Sequence, residues 1–152
     1  SLARKVVFGT AGLAPDDTIP GTGRTAADAL QAVHRSYLGP VRNLLKTVKI
    51  HGMAHITGGG FPDNIERILP EGACAHIDTA AWTVPPLFRF IGKAGKVENG
   101  EMYRVFNMGI GMTIFVRDSD TGRAVASLKR SGEAPALIGR VEKNRKPVVL
   151  SF

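Results

Sequence analysis

The segment Ile50-His51-Gly52-Met53-Ala54-His55-Ile56-Thr57-Gly58-Gly59-Gly60-Phe61-Pro62-Asp63-Asn64-Ile65 passes from an extended apolar run into three glycines, and from there into a helix opened by a proline. Consecutive glycines cost chain entropy, so a folded protein keeps them where no Cβ fits. Peptide N–H groups turned toward a helix start form a cradle for phosphate or carboxylate. Pro62 belongs in the first turn of such a helix, where a missing N–H leaves nothing unpaired. The expectation is a strand, a glycine turn and a helix, with the turn as ligand-binding centre and the flanking segments as its support.

On the N-terminal side, Ser1 to Phe8 reads as a helix already under way, as expected for a piece cut from a longer chain. Gly9 to Gly23, with Pro15, Pro20 and Asp16-Asp17, reads as a long surface loop. Thr25 caps a helix with Asp28 at the capping-box position, and Ala26, Ala29, Leu30, Val33 and Tyr37 supply its apolar stripe. Gly39-Pro40 breaks that helix, and Pro40 starts another through Val41, Leu44, Leu45 and Val48.

Beyond the glycine turn, a short helix runs to Leu69 and stops at Pro70 and Gly72. Ala73 to Ile77 reads as a strand, Pro85-Pro86 as the start of a helix closed by Gly95, and Glu101 to Phe106 as one helical turn. Asn107-Met108-Gly109-Ile110-Gly111-Met112 is a second glycine-bearing turn, feeding a strand from Met112 to Val116. Asp118 or Ser119 caps a helix that carries Ala124, Val125 and Leu128 inward and ends at Gly132. Ala136 to Val141 and Val148 to Phe152 are two final strands around a basic turn. This order argues for a mixed α/β layer of about four or five strands, in one domain over residues 1–152.

Composition narrows the function classes. A chain of 152 residues, 43% apolar and 22% charged, can bury a real core. No apolar run approaches the roughly 20 residues that span a bilayer, so no membrane partner is expected. Cys74 is the only cysteine, which excludes an internal disulfide and suits a reducing, cytoplasmic setting; its apolar neighbours mark it as a buried, inert thiol. The formal charge is +7, but Lys and Arg are scattered, which argues against nucleic acid. The one dense cluster, Arg140, Lys143, Arg145 and Lys146, reads as a solvated hairpin turn. A diffuse positive field suits small phosphorylated substrates.

The candidate chemistry centres on the first turn. His51 and His55 share a face of an extended segment, but a zinc site needs a third ligand and none is in view, so no metal site is expected. His55 either faces a ligand or is a satisfied structural histidine; His34 and His76 lack local partners and read as structural. Thr57-Gly58-Gly59-Gly60 is neither a Walker motif nor a dinucleotide fingerprint, and it either binds a ligand or only turns. Asn107, Gly109 and Gly111 form a second turn, and two such turns in one small domain suggest a cleft lined by backbone N–H groups. Asp63 and Asp78 read as helix-start and strand-end residues, and Trp82 as a packing anchor. No nucleophile motif is visible, and no catalytic residue or general base is assigned.

His51 to Asn64 with Ile65-Glu66-Arg67-Ile68-Leu69-Pro70-Glu71-Gly72, Trp82 to Pro86, and Glu101-Met102-Tyr103-Arg104-Val105-Phe106-Asn107-Met108-Gly109-Ile110-Gly111-Met112 together resemble the C-terminal half of the aminoimidazole ribonucleotide synthetase family, the phosphoribosylformylglycinamidine cyclo-ligases. The resemblance covers essentially the whole chain. It departs at His34-Arg35-Ser36-Tyr37-Leu38-Gly39-Pro40-Val41, where the family usually carries Thr-Arg-Ile-Tyr-Val-Lys-Pro-Val. Gly39 stands in place of the lysine and His34 in place of the threonine.

The resemblance implies a two-domain enzyme of purine biosynthesis with its active site between the domains, this C-terminal half being an α/β fold with a mixed sheet of about four strands flanked by helices. ATP activates the formyl amide oxygen of formylglycinamidine ribonucleotide, an internal nitrogen closes the imidazole ring, and ADP and phosphate leave. Such an enzyme works by positioning and charge neutralisation. The resemblance also implies that most ATP and magnesium contacts, and the main homodimer contacts, lie in an N-terminal domain. Formylglycinamidine ribonucleotide amidotransferase and selenophosphate synthetase share the domain plan. A rival class is a non-catalytic module that binds a phosphorylated metabolite or another subunit; the enzyme reading instead expects an exposed apolar face on this domain.

The residues expected at the substrate or phosphate are Thr57, Gly58, Gly59 and Gly60, with His55 and Asn64 nearby, and Asn107, Gly109 and Gly111 as an adjoining wall. A further expectation is that Gly59→Val blocks the ligand while leaving the fold largely intact.

Overall fold

A computed structural model describes residues 1–152. The chain opens with a helix, α1 (Leu2–Arg4), whose last turns widen to π geometry over Lys5–Thr10. Then come α2 (Ala26–Leu30), α3 (Leu38–Leu45), β1 (Gly52–His55), α4 (Gly60–Glu66) and β2 (Ala73–Asp78). The second half adds α5 (Pro86–Gly95), α6 (Asn99–Val105), β3 (Met112–Phe115), α7 (Thr121–Arg130), β4 (Gly139–Lys143) and β5 (Val148–Ser151).

The fold is α/β as expected, but its five strands form two sheets rather than one. β1 and β3 make an antiparallel ladder with Gly52 opposite Phe115 and His55 opposite Met112. The other sheet has the order β4-β2-β5, with β4 antiparallel and β5 parallel to β2. The basic stretch is therefore not the tip of a hairpin. β4 and β5 flank β2, so the chain between them passes around the start of that strand, where the Asn144 amide donates to the Gly72 carbonyl and the Ala75 amide to that of Pro147. Arg140, Lys143, Arg145 and Lys146 are solvent-exposed there, as read.

Alternation along β1 sends Ala54 and Ile56 inward and His51, Met53 and His55 outward. The inward residues join Phe61 and Ile65 of α4, Ala75 and Ile77 of β2, Ile91 of α5, and Met102 and Tyr103 of α6 in the main core. Burying Phe61 completely stabilises the fold by roughly 2–3 kcal/mol. It also fixes the helix that follows the glycine turn. Two smaller clusters complete the packing: Val7 with Ile19 and Ala26, and Leu44 with Val48 and Ala124. Cys74 is fully buried and unpaired. Trp82 is an anchor, stacking on Phe61 at 5.7 Å between ring centres and donating its indole N–H to the Met108 carbonyl at 3.0 Å.

Several helices differ from the sequence reading: α4 ends at Glu66 rather than Leu69, and neither Asp118 nor Ser119 caps α7, because both lie in a 3-10 turn that precedes it. The α2 cap forms as expected, with the Thr25 hydroxyl accepting from the Asp28 amide at 3.1 Å. However, α2 ends at Leu30, and Val33, placed on its apolar stripe, is 95% exposed. Tertiary tethers on the segment after α2 override its local helical pattern. Gly39-Pro40 does not separate two helices either; both lie in the first turn of α3, where a proline N–H is not needed.

Candidate functional site

The antiparallel register of β1 and β3 brings the two glycine turns to the same end of one ladder. β1 runs out through His55 into Thr57–Gly60, and residues 107–111 run into β3. The Ile56 amide donates to the Gly111 carbonyl at 2.8 Å and ties the turns together.

The first turn is held from beneath. Asn64, buried in α4, donates its side-chain amide to the Gly60 carbonyl at 2.7 Å and lies 3.3 Å and 3.4 Å from the carbonyls of Gly58 and Thr57. Its amide oxygen is 3.4 Å from the Thr57 hydroxyl. Asn64 thus shapes the turn from the core side rather than projecting from it. With the carbonyls drawn inward, the amides of Thr57, Gly58 and Gly59 donate to no carbonyl in the chain, while that of Gly60 donates to Thr57. Thr57 and Gly58 are exposed, so their N–H groups are available to an anion.

The three glycines are glycine for different reasons. Gly59 (φ 95°) and Gly60 (φ 58°) occupy the left-handed region that L side chains rarely adopt. A Cβ on Gly60 would fall 1.9 Å from the Tyr103 carbonyl oxygen, and one on Gly59 would fall 2.6 Å from the Asp63 carboxylate. Gly58 has ordinary φ and nothing within 4 Å of a Cβ. Gly59→Val therefore strains the backbone and displaces Asp63, so it does not isolate a ligand effect. Gly58 is the position that does.

The second turn is closed on itself. Asn107 accepts the Gly109 amide on its side-chain oxygen at 3.0 Å and the Ile110 amide on its carbonyl at 2.9 Å. Gly109 (φ 103°) lies against Pro85, where a Cβ would be 2.6 Å from the ring. A Cβ on Gly111 would fall 2.0 Å from the Tyr37 hydroxyl.

His55 closes the ladder on its exposed face, and its Nε2 lies 2.7 Å from Nε2 of His34. His34 is thus partnered, by a contact spanning 21 positions that no local pattern signals. Tyr37 lies on no helix stripe, contrary to the sequence expectation, and stands edge-on to both imidazoles, at 6.0 and 5.9 Å between ring centres. Partial burial, with Glu133 nearby, raises its phenol above the ordinary tyrosine value, while Arg35 opposes this. Arg35 pairs with Glu133 at 3.0 Å. His76 has a structural partner, the Ser151 hydroxyl at 3.3 Å. No three His, Cys, Asp or Glu side chains converge anywhere in the chain, so no magnesium ligand set is assigned to it.

A separate cleft of about 810 Å³ opens between the two sheets, walled by apolar residues such as Ile114, Val116, Leu128 and Ile138. Leu137 and Val141 stand exposed at it. It meets the candidate site along the second turn, at Gly109, Ile110 and Gly111, and at Arg35, Tyr37 and Glu133.

Known proteins match nearly the whole length of this chain. It is 46% identical over 143 residues to a phosphoribosylformylglycinamidine cyclo-ligase of Syntrophus aciditrophicus, covering 94% of this chain and 41% of that protein. It is 41% identical over 150 residues to one of Alkaliphilus metalliredigens, covering 99% and 43%. The chain thus spans about two fifths of the length of these relatives. Among solved structures, HypE of E. coli, a hydrogenase maturation protein, superposes on 90% of this chain and 44% of its own with a TM-score of 0.59; at 20% identity the likeness is one of fold. The family model for the C-terminal domain of AIR synthase related proteins matches residues 2–151, and the chain belongs to that family.

Proposed function

We propose that this chain is the substrate-side wall of an ATP-dependent phosphoribosylformylglycinamidine cyclo-ligase, which converts formylglycinamidine ribonucleotide to aminoimidazole ribonucleotide with release of ADP and phosphate. The observation that carries the reading is identity of 41–46% to proteins of that name over 94–99% of the chain. Geometry supports it: free amides of Thr57, Gly58 and Gly59 beside His55 form a donor surface for a phosphate or for negative charge developing on substrate. The net positive charge of the chain favours arrival of such a substrate.

In this reading ATP is a second substrate, bound with magnesium mainly by an N-terminal domain of the same protein. The apolar cleft between the sheets suits burial against that domain, and the whole enzyme works as a cytoplasmic homodimer. The residues of this chain bind and orient; Asn64 and Asn107 keep the turns in shape.

The test is turnover by the full-length protein with ATP and formylglycinamidine ribonucleotide, following aminoimidazole ribonucleotide. Substrate-dependent formation of product, matched by ADP, is the expected result. A folded full-length protein that binds the ribonucleotide without making product would show a binding module instead.

A further inference from the structure

We infer that His34 is a positioning residue for His55: it engages Nε2 of His55, so that this ring meets a ligand at the glycine turns through Nδ1. The inference rests on the proposal that this end of the β1–β3 ladder faces substrate.

The contact is nitrogen to nitrogen. The Nε2 atoms are 2.7 Å apart, the ring centres 4.7 Å, and the planes are tilted by 35°. Stacked rings do not approach within 2.7 Å, whereas a hydrogen bond does. Such a bond needs a proton on one Nε2 and a lone pair on the other, so the accepting ring carries its own proton on Nδ1. The two rings are thereby held in complementary tautomers, and His55 keeps only Nδ1 for anything beyond the chain.

The segment carrying His34 is tethered independently of that bond. Arg35 bonds Glu133 and donates to the Gly132 carbonyl at 3.2 Å, fixing the backbone one residue away. Tyr37 fills the space above Gly111 with its hydroxyl and stands edge-on to both imidazoles, at interplanar angles of 71° and 72°. The position of His34 is therefore set by neighbours on α7's C-terminal side and on the second glycine turn. A ring held in this way can orient a second ring, as the partner of a functional histidine commonly does. Tyr37 thus links this segment to the second turn and His34 links it to the end of β1 that feeds the first, so the segment after α2 belongs to the same surface.

The experiment uses full-length protein labelled with ¹⁵N-histidine, at about pH 8.5 where imidazoles are largely neutral. Long-range ¹H–¹⁵N correlations read the tautomer of each ring. The expected result is complementary tautomers for His34 and His55, and a shift of His55 Nδ1 on adding formylglycinamidine ribonucleotide. In His34→Leu, His55 loses its single tautomer and kcat/KM falls about tenfold, while the melting temperature stays put. His34→Gln, which places an amide near the former Nε2, recovers most of the loss. Independent tautomer mixtures in the native protein, or unchanged kcat/KM in an active His34→Leu, overturn the inference. A native protein without cyclo-ligase turnover overturns the proposed function instead, and the tautomer readout with the Nδ1 shift then decides on His34 alone.

Discussion

The two glycine turns lie side by side at one end of the β1–β3 ladder, yet they hold their shapes by opposite means. Residues 57–60 are gripped from the core by Asn64, whose amide gathers the turn's carbonyls while the N–H groups of Thr57, Gly58 and Gly59 donate to no carbonyl. Residues 107–111 are closed from within and from outside. Asn107 takes up the amides of Gly109 and Ile110, Trp82 bonds the Met108 carbonyl, and Pro85 and Tyr37 cover the two glycines. A run of glycines therefore has two distinct physical causes here. One is left-handed backbone, as at Gly59 and Gly60; the other is a backbone that must admit a neighbour, as at Gly60, Gly109 and Gly111. The first turn leaves amides unpaired, which under the proposed function would meet an anion, and the second is a packed wall beside it.

The largest effect should come from Gly60, where the cause is purely internal. Gly60→Ala forces a Cβ into the Tyr103 carbonyl at positive φ, and a loss of about 3–5 kcal/mol in urea unfolding is expected. A change below about 1 kcal/mol would mean that α4 and α6 do not meet as described. Next is Asn64→Ala, which leaves the turn's carbonyls without their donor and should cost about 2 kcal/mol. Asn64→Asp should not restore stability, because an ionised carboxylate accepts and cannot donate to carbonyls. Equal stability of Asn64→Asp and the native protein would refute the clamp.

Gly111→Ala tests the second turn. Its Cβ must displace the Tyr37 hydroxyl, so a cost of roughly 1–3 kcal/mol is expected. That cost should shrink in a Tyr37→Phe background, and a double-mutant cycle with no coupling would show that Tyr37 does not cover the glycine. The smallest effect concerns pH. Burial raises the phenols of Tyr37 and Tyr103 above the ordinary tyrosine value, so both favour the fold while neutral. Their contribution is present below the unfolded-state value near 10 and is lost as pH rises through the higher folded-state values. Thermal unfolding should thus show a small alkaline loss of stability that Tyr37→Phe reduces.

Much of this arrangement was legible in sequence, where physics is local. The Thr25 cap, the glycine turns, the strand before the first turn and the proline-led α5 all follow from a few neighbouring residues. Long-range closure was not legible. β2 inserting between β4 and β5 cannot be read from two strands joined by a basic turn. His34 meeting His55 depends on an irregular segment held by Glu133 and Gly111, more than seventy positions away from it. Asn64 was expected near the ligand; it lies at the turn but on its buried side, because helical periodicity places it on the same inner face as Phe61 and Ile65. The glycine pattern was visible while its reasons were not. Only the partner of each absent Cβ separates Gly58 from Gly60.

Gly58 is therefore the position that separates a ligand effect from a folding effect. Its Cβ direction is open and its backbone ordinary, so Gly58→Val should change stability by no more than about 0.5 kcal/mol. The decisive measurement is steady-state formation of aminoimidazole ribonucleotide by the full-length protein carrying Gly58→Val, beside the native enzyme. A fall of tenfold or more in kcat/KM at unchanged melting temperature is the predicted result. Native kcat/KM in the variant would contradict the claim that the first glycine turn faces the substrate.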